Sequence, residues 1–295
     1  MAISNVTVIG GGLMGSGIAQ VCAQAGLTTT VREVTAALAD KARASITKTL
    51  DKGVEKGKVT VEARNAALGK LSFTTDLGAA KASDLVIEAI VEDLAVKDAL
   101  FKELDALCPA HTIFASNTSS LVIAEMAAMT KRADRFCGLH FFNPVPLMPL
   151  VEVVRSVRTS DATITQVMAC MRALGKEPVS AKDRSGFIVN FLLVPYLLDA
   201  ISALESGVAS VEDIDKGMKL GCGHPMGPFT LLDFVGLDTT LRIAEVFFNE
   251  YHEKRYAAPP LLKRMVTAGW NGRKSGMGFY DYSAKDPVVN PALGT

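Results

Sequence analysis

Two units of different class are predicted for this 295-residue chain. The first is α/β, covers residues 1–184 on a largely parallel sheet, and carries a helical-hairpin insert at 34–70. The second, residues 185–295, is all-α. Three observations lead there. The first half alternates short β-rich runs with segments of helical periodicity, the pattern of βαβ units. A G-x-G-x-x-G turn stands between the first such strand and the first helix. Beyond Arg184 the alternation stops, and apolar residues recur at helical spacing with turns between them.

In order along the chain, "VTVIG" (6–10) is the first strand. Ile18, Val21, Cys22 and Ala25 then repeat at helical spacing over Met14–Ala25, and Gly26 stops that helix. "TTTVRE" (28–33) is a β-branched second strand. Residues 34–70 read as two helices, followed by strands at 83–90 and 112–117 with an amphipathic helix, Val91–Leu107, between them. Strands at 136–142 and 150–154, a helix at 161–174 and a short strand at 177–180 complete the unit. Helices are expected at 187–206, 210–220, 228–252 and 259–268, with no convincing strand among them. The boundary falls near "AKDRSG" (181–186). A chain this long is expected to form two cores rather than one.

Lysine plus arginine equals aspartate plus glutamate, 31 of each, so no net field favours nucleic acid or an anionic membrane surface. The five cysteines are scattered with no C-x-x-C, which fits reduced thiols and argues against a disulfide framework or zinc site. Four residues, none basic, precede the first apolar run, and the longest apolar stretch is broken by Asn190 and Asp199. No leader and no membrane span are therefore expected, and a cytoplasmic protein is.

"GGGLMG" supplies the spaced glycines Gly10, Gly12 and Gly15. Gly10 permits the tight turn, Gly12 lets a pyrophosphate reach the backbone, and Gly15 allows helix and strand to pack closely. Leu13 and Met14 stand at the entry to the helix, where free N–H groups and the dipole favour phosphate, and are expected at the cofactor. With Glu33 ending the second strand, the motif predicts a Rossmann-type dinucleotide site. Glu33 suits ribose hydroxyls and repels a 2′-phosphate, so NAD is expected over NADP. Arg32 is a residue type that accommodates a 2′-phosphate, but adjacent strand residues point to opposite faces and do not serve one ribose.

"LHFFNPVPLMPLVEVV" (139–154) is apolar apart from His140, Asn143 and Glu152. A proline-rich turn can fold the chain back so that His140 and Glu152 meet, with the carboxylate fixing the tautomer of a proton-accepting imidazole. On spacing alone, a structural histidine beside a solvated glutamate fits equally well. "SNTSS" (116–120) follows a parallel strand, where open sheets present ligands, although serine and threonine there also cap helices. Asn190 interrupts an apolar helix and either serves a ligand or bonds a neighbouring backbone group. The insert carries eight Lys/Arg against four Asp/Glu between Asp40 and Lys70. That is a basic surface or an ordinary solvated helix pair.

The segments "VIGGGLMGSGIAQ", "IEAIVEDLAVK", "IFASNTSSL", "LHFFNPVPLM", "LVEVV", "DRSGFIVNFLLVPYLLDAI", "DIDKGMKLGCGHPMGPFTLLD" and "GRKSGMGFYDY" run in order through nearly the whole chain. Together they resemble the L-3-hydroxyacyl-CoA dehydrogenase family, including its short-chain 3-hydroxybutyryl-CoA members. The resemblance implies NAD as cofactor, an acyl-CoA substrate, a homodimer formed through the helical unit, and an active site between the two units. It makes His140 the base that takes the 3-hydroxyl proton, Glu152 its orienting partner, and Ser119 the hydroxyl on the substrate oxygen. It puts Asn190 at the thioester end, and Glu92, Lys97, Asn117, Ser119, Asn143 and Lys274 on the cofactor. Thr49 and Lys56 of the insert would receive CoA, whose phosphates suit lysine. Many members have lysine where this chain has Pro149, which bears on substrate preference. The alternatives are a dehydrogenase of a free hydroxy compound such as carnitine or gulonate on the same scaffold, and a non-catalytic relative of the lens-crystallin kind.

Overall fold

The computed structural model describes residues 3–293. The chain divides into two compact units, one through Phe187 and one from Ile188.

The first unit contains, in chain order, β1 (Asn5–Ile9), α1 (Leu13–Gln24), β2 (Thr28–Arg32), α2 (Ala36–Glu55), α3 (Val61–Gly69), β3 (Leu71–Thr74), β4 (Leu85–Glu88), α4 (Leu94–Leu107), β5 (Ile113–Ser116), α5 (Ile123–Ala128), β6 (Phe136–Phe141), β7 (Leu150–Arg155), α6 (Asp161–Ala173) and β8 (Glu177–Lys182). The eight strands form one sheet in the order β3-β2-β1-β4-β5-β6-β7-β8. The first six follow the doubly wound order 3-2-1-4-5-6, which opens a crevice at the carboxyl ends of β1 and β4. β6 and β7 pair antiparallel and β7 and β8 parallel, so the last two strands run against the rest.

Both faces of the sheet are covered, which is why its strands read as continuous apolar runs. Val6, Val8, Leu85 and Ile87 bury on one face with Ile18, Ile46 and Val167. Their neighbours Ile9 and Val86 bury on the other with Phe101, Phe114 and Phe136. Period-2 alternation assigns each residue its face. α2 buries Ala39, Ala42, Ile46 and Leu50 and leaves the rest of its surface to solvent.

Several helix ends follow from single side chains. Asp93 accepts the Val96 N–H, so α4 starts at Leu94 rather than at the expected Val91. Asp183 accepts the N–H groups of Ile123 and Ala124 and anchors α5, a helix absent from the sequence reading.

The second unit comprises α7 (Val189–Glu205), α8 (Val211–Cys222), α9 (Pro228–Val235), α10 (Leu237–Tyr251), α11 (Pro260–Thr267) and a ribbon of β9 (Tyr280–Asp281) with β10 (Val288–Val289). The unit is helical, as expected, and carries one short ribbon besides, since β9 and β10 are two-residue strands too short to show alternation. One expectation is corrected here. The single helix expected over 228–252 is two, broken at Gly236, whose φ of +100° lies outside the helical region. Two buried aspartates organise this unit. Asp215 accepts the N–H groups of Phe229 and Thr230 at the start of α9. Asp233 accepts those of Phe279 and Tyr280 at 2.9 Å each. A Cβ on Gly272 or Gly278 would collide with Asp233, which explains two of the three glycines of "GRKSGMGFYDY".

The spaced glycines separate into distinct roles. Gly10 has φ +94°. A Cβ on Gly15 would lie 1.8 Å from the Gly10 carbonyl oxygen, whereas one on Gly12 would meet nothing within 4 Å. Gly15→Ala is therefore expected to lose about 3 kcal/mol or more, since backbone must move. Gly12→Ala is expected to lose only roughly 0.5–1 kcal/mol, since alanine is a poorer N-cap than glycine. Urea unfolding of the two variants checks this, and equal losses would contradict it.

Candidate active site

β6 and β7 set the central pair. In their antiparallel register His140 stands directly opposite Glu152, so both side chains project from one face at neighbouring Cβ positions. The imidazole Nδ1 lies 2.6 Å from Glu152 Oε2. Both residues are buried, Glu152 completely. With Nδ1–H donated to the carboxylate, Nε2 keeps its lone pair and can take a proton, and the carboxylate then stabilises the imidazolium. Phe142 and Phe187 flank the ring at centroid distances of 4.5 and 5.7 Å. Phe187 has φ +49°, an uncommon conformation for a bulky residue and one that clusters at functional sites. The spacing argument identified neither ring.

Asn117, just past β5, accepts the Phe141 N–H on Oδ1 at 2.9 Å and so ties the end of β5 to the end of β6 beside His140. Ser119 is part-exposed. Its N–H donates to Glu92 Oε1 at 3.2 Å, and its hydroxyl bonds to none of the described residues. Asn143 is exposed at the start of the turn between β6 and β7 and is joined to Pro144 by a cis peptide bond. Pro149 is exposed, and its carbonyl accepts the Glu177 N–H at 2.8 Å.

Lys97 and Glu92 belong to a network that sequence reasoning saw only in part. The Lys97 ammonium, 1% exposed, sits 2.8 and 3.0 Å from the two oxygens of fully buried Glu88 and 3.0 Å from Glu92 Oε2. Glu88 also accepts the Ile90 N–H and the Ser116 hydroxyl. Glu92 accepts the hydroxyls of Thr118 and Ser120 besides the Ser119 N–H. Burial opposes the Glu92 charge, but the Lys97 ammonium and these donors outweigh it and hold the carboxyl below its ordinary range. Lys97, expected against the cofactor, thus ties together the loop that carries Ser119. Glu88 went unnoticed because a glutamate closing an apolar strand gives no sign of a partner nine residues later.

The dinucleotide turn fits its ligand. Gly12 caps α1 without a side-chain bond, no acidic residue occupies the first turn, and Gly12 and Leu13 are exposed while Met14 is half-buried. The free N–H groups can therefore face phosphate. Glu33 accepts the Gly11 N–H on Oε1 at 2.5 Å and the Val34 N–H on Oε2 at 3.1 Å, which fixes its carboxylate beside the turn. Arg32 points elsewhere, its Nε donating to the Thr75 carbonyl at 3.3 Å.

Thr49 on α2 and Lys56, the residue that caps its C-terminus, are both exposed, and the Thr49 hydroxyl donates to the Ser45 carbonyl. In the second unit Asn190 is half-buried on the first turn of α7. Lys274 lies there too, ion-paired with Asp238 at 2.5 Å.

Lys97→Met is expected to cost about 3–5 kcal/mol by leaving the buried Glu88 carboxylate without its cation. It should also remove a pH-dependent contribution. The folded-state pKa of Glu92 is lowered, so its contribution is present above the unfolded value near 4.5 and lost as pH falls through the folded value. Urea unfolding of wild type and variant between pH 6 and 3 measures both effects; parallel pH profiles would contradict the second.

The match to known proteins runs along almost the entire chain. Residues 5–184 match the family model for the NAD binding domain of 3-hydroxyacyl-CoA dehydrogenase, and residues 186–282 the model for its C-terminal domain. A 3-hydroxybutyryl-CoA dehydrogenase of Mycobacterium tuberculosis is 52% identical over 283 residues, 95% of this chain and 99% of that one. The human mitochondrial hydroxyacyl-coenzyme A dehydrogenase is 50% identical over 287 residues, 95% of this chain and 91% of that one. Among solved structures, the (S)-3-hydroxybutyryl-CoA dehydrogenase of Ralstonia eutropha superposes with a TM-score of 0.94 at 44% identity, covering 96% of this chain and 100% of that one. This chain belongs to the 3-hydroxyacyl-CoA dehydrogenase family.

Proposed function

We propose that this chain catalyses the reversible NAD-dependent oxidation of (S)-3-hydroxyacyl-CoA to 3-oxoacyl-CoA, with short-chain substrates such as 3-hydroxybutyryl-CoA preferred. The observation that carries this reading is the buried His140–Glu152 pair in a unit that also holds a fitting dinucleotide turn.

In the oxidative direction His140 Nε2 takes the proton of the 3-hydroxyl group. Glu152 holds the ring by Nδ1 and stabilises the positive charge that develops on it. When bound, the nicotinamide ring supplies the acceptor for the hydride that leaves C3. Ser119 donates to the substrate oxygen, and its backbone is fixed by Glu92. Asn190 serves the thioester end. Phe142 and Phe187 keep water from the ring and strengthen its electrostatics. Glu92, Lys97, Asn117, Asn143 and Lys274 are the remaining cofactor-side residues of this reading, and Thr49 and Lys56 the CoA-side ones. Glu33 makes the cofactor NAD rather than NADP, because a 2′-phosphate beside its fixed carboxylate is repelled. The active form is a homodimer, and the second unit offers exposed Leu192, Phe234 and Phe248 for it. Among the described residues no helix is long and apolar enough to cross a membrane.

His140→Gln is expected to lower kcat by roughly 10²–10⁴, the usual worth of a general base. An assay of NADH consumption with 3-oxobutyryl-CoA measures it, and a wild-type rate in the variant would refute the mechanism. Neutral His140 serves oxidation and its imidazolium serves reduction. The kcat/KM should therefore rise with pH for oxidation and fall with pH for reduction. Flat profiles in both directions would remove His140 as the base.

The same assay with NADPH should be at least about tenfold less efficient, and equal use of the two would mean that Glu33 does not select. Lys56→Glu should raise KM for the CoA substrate and leave kcat nearly unchanged, whereas a dehydrogenase of free hydroxy compounds would be indifferent to it. Absence of any turnover would favour the non-catalytic alternative.

A further inference from the structure

The Asn143–Pro149 turn joins the His140 strand to the Glu152 strand, and three of its seven residues are proline. Proline has no N–H, so the turn is rich in carbonyl acceptors and poor in donors. The Pro144 carbonyl accepts the N–H groups of Leu147 and Met148 at 2.9 and 3.0 Å, and that of Pro149 accepts the Glu177 N–H. The carbonyls of Val145 and Met148 are met by a side chain. Lys176, at the entry to β8, donates from Nζ to both, at 2.5 and 2.8 Å.

Lys176 is 6% exposed, and among the described residues no carboxylate pairs with it. An ammonium held only by carbonyls is costly to bury, and burial accordingly lowers its pKa. A surface lysine would avoid that cost, so its position calls for a role. The turn is also packed against α1. A Cβ on Gly17 would lie 2.8 Å from Val145 Cβ and 3.5 Å from the Pro146 ring. The turn is thus held both by a buried cation and by packing against the helix of the dinucleotide motif.

We propose that Lys176 is a positioning residue of the reaction centre. By clamping this turn it fixes the end of the His140–Glu152 register and the placement of Asn143. The inference rests on the reading of His140 as the base, but its physical part, the clamp, can be measured without turnover.

The experiment compares wild type with Lys176→Met by amide hydrogen exchange and by steady-state kinetics with 3-oxobutyryl-CoA and NADH. Exchange at Leu147 and Met148 is expected to accelerate while the strands of the sheet keep their protection. The expected fall in kcat is roughly ten- to hundredfold, the worth of one or two charge-assisted hydrogen bonds, with KM for the CoA substrate within about twofold of wild type. A lowered melting temperature with unchanged kcat, or a turn as protected as in wild type, would overturn the proposal. If Lys176→Met does not fold, Lys176→Gln keeps a neutral donor on a shorter stem and is expected to give smaller changes in the same two readouts. Loss of kcat in that variant without faster exchange in the turn also overturns it. If wild type itself does not turn over 3-oxobutyryl-CoA, the proposed activity fails, while the exchange data still decide the clamp.

Discussion

The hydrogen bond between His140 and Glu152 depends on one reversal of strand direction. Among the described residues β6–β7 is the antiparallel pairing of an otherwise parallel-paired sheet. Cross-strand neighbours in such a pair face the same way, so a single register places imidazole and carboxylate together. A slip of one residue would send Glu152 to the other face and put Val151 or Val153 opposite the ring. Because Glu152 is fully buried, such a slip would also strand a carboxylate in an apolar layer, at several kcal/mol. The pair proposed to serve the chemistry therefore also specifies the register of the strands that carry it.

Around this pair, loops at the carboxyl ends of the strands are tied by side chains rather than left to backbone bonds. Glu88 closes β4, and with Lys97 and Glu92 it gathers Ser116, Thr118, Ser119 and Ser120. Asn117 spans from β5 to the last residue of β6. These bonds cross from one βα unit to the next, so displacing one loop strains its neighbour. Preorganisation of this kind fixes Ser119 and His140, the proposed donor and base, before a ligand arrives and lowers the reorganisation that such a reaction needs.

How much of this was legible depends on the range of the interaction concerned. The glycine turn, the alternation of strands and helices, and the change of class near residue 184 are local patterns and could be read directly. Gly10 and Gly15 take the turn and packing roles that their spacing implied. β3 was missed because four half-exposed residues after a helix carry too little periodicity, and β9 and β10 are shorter still. Gly236 was read through as an ordinary helical residue because its φ is set by packing and not by its neighbours in sequence. At the site, His140 and Glu152 were identifiable as two polar residues in an apolar segment, but their contact is a matter of register. Glu88 and Lys176 look like a strand-ending acid and a surface base, and only tertiary structure shows each to be buried with partners.

The buried cations of the first unit show how side-chain chemistry matches the loop it serves. Arg132 lies at the opposite end of the sheet, before β6, where it pairs with Asp105 and donates to the carbonyls of Asp105, Cys108 and Pro109. Its planar fork of five donors suits a wide array of acceptors, and it stacks on Phe114 at 4.6 Å. Lys97 and Lys176 meet narrower demands, a pair of carboxylates and a pair of carbonyls, which a compact ammonium with three rotatable donors can satisfy. Exchanging lysine for arginine at either position would preserve charge but not geometry. The larger guanidinium would press on the Ser119 loop or the proline turn, the two segments that flank His140. Residue size at these buried cations is thus tied to the placement of the loops that carry the proposed reacting groups, although neither lysine is the proposed proton acceptor.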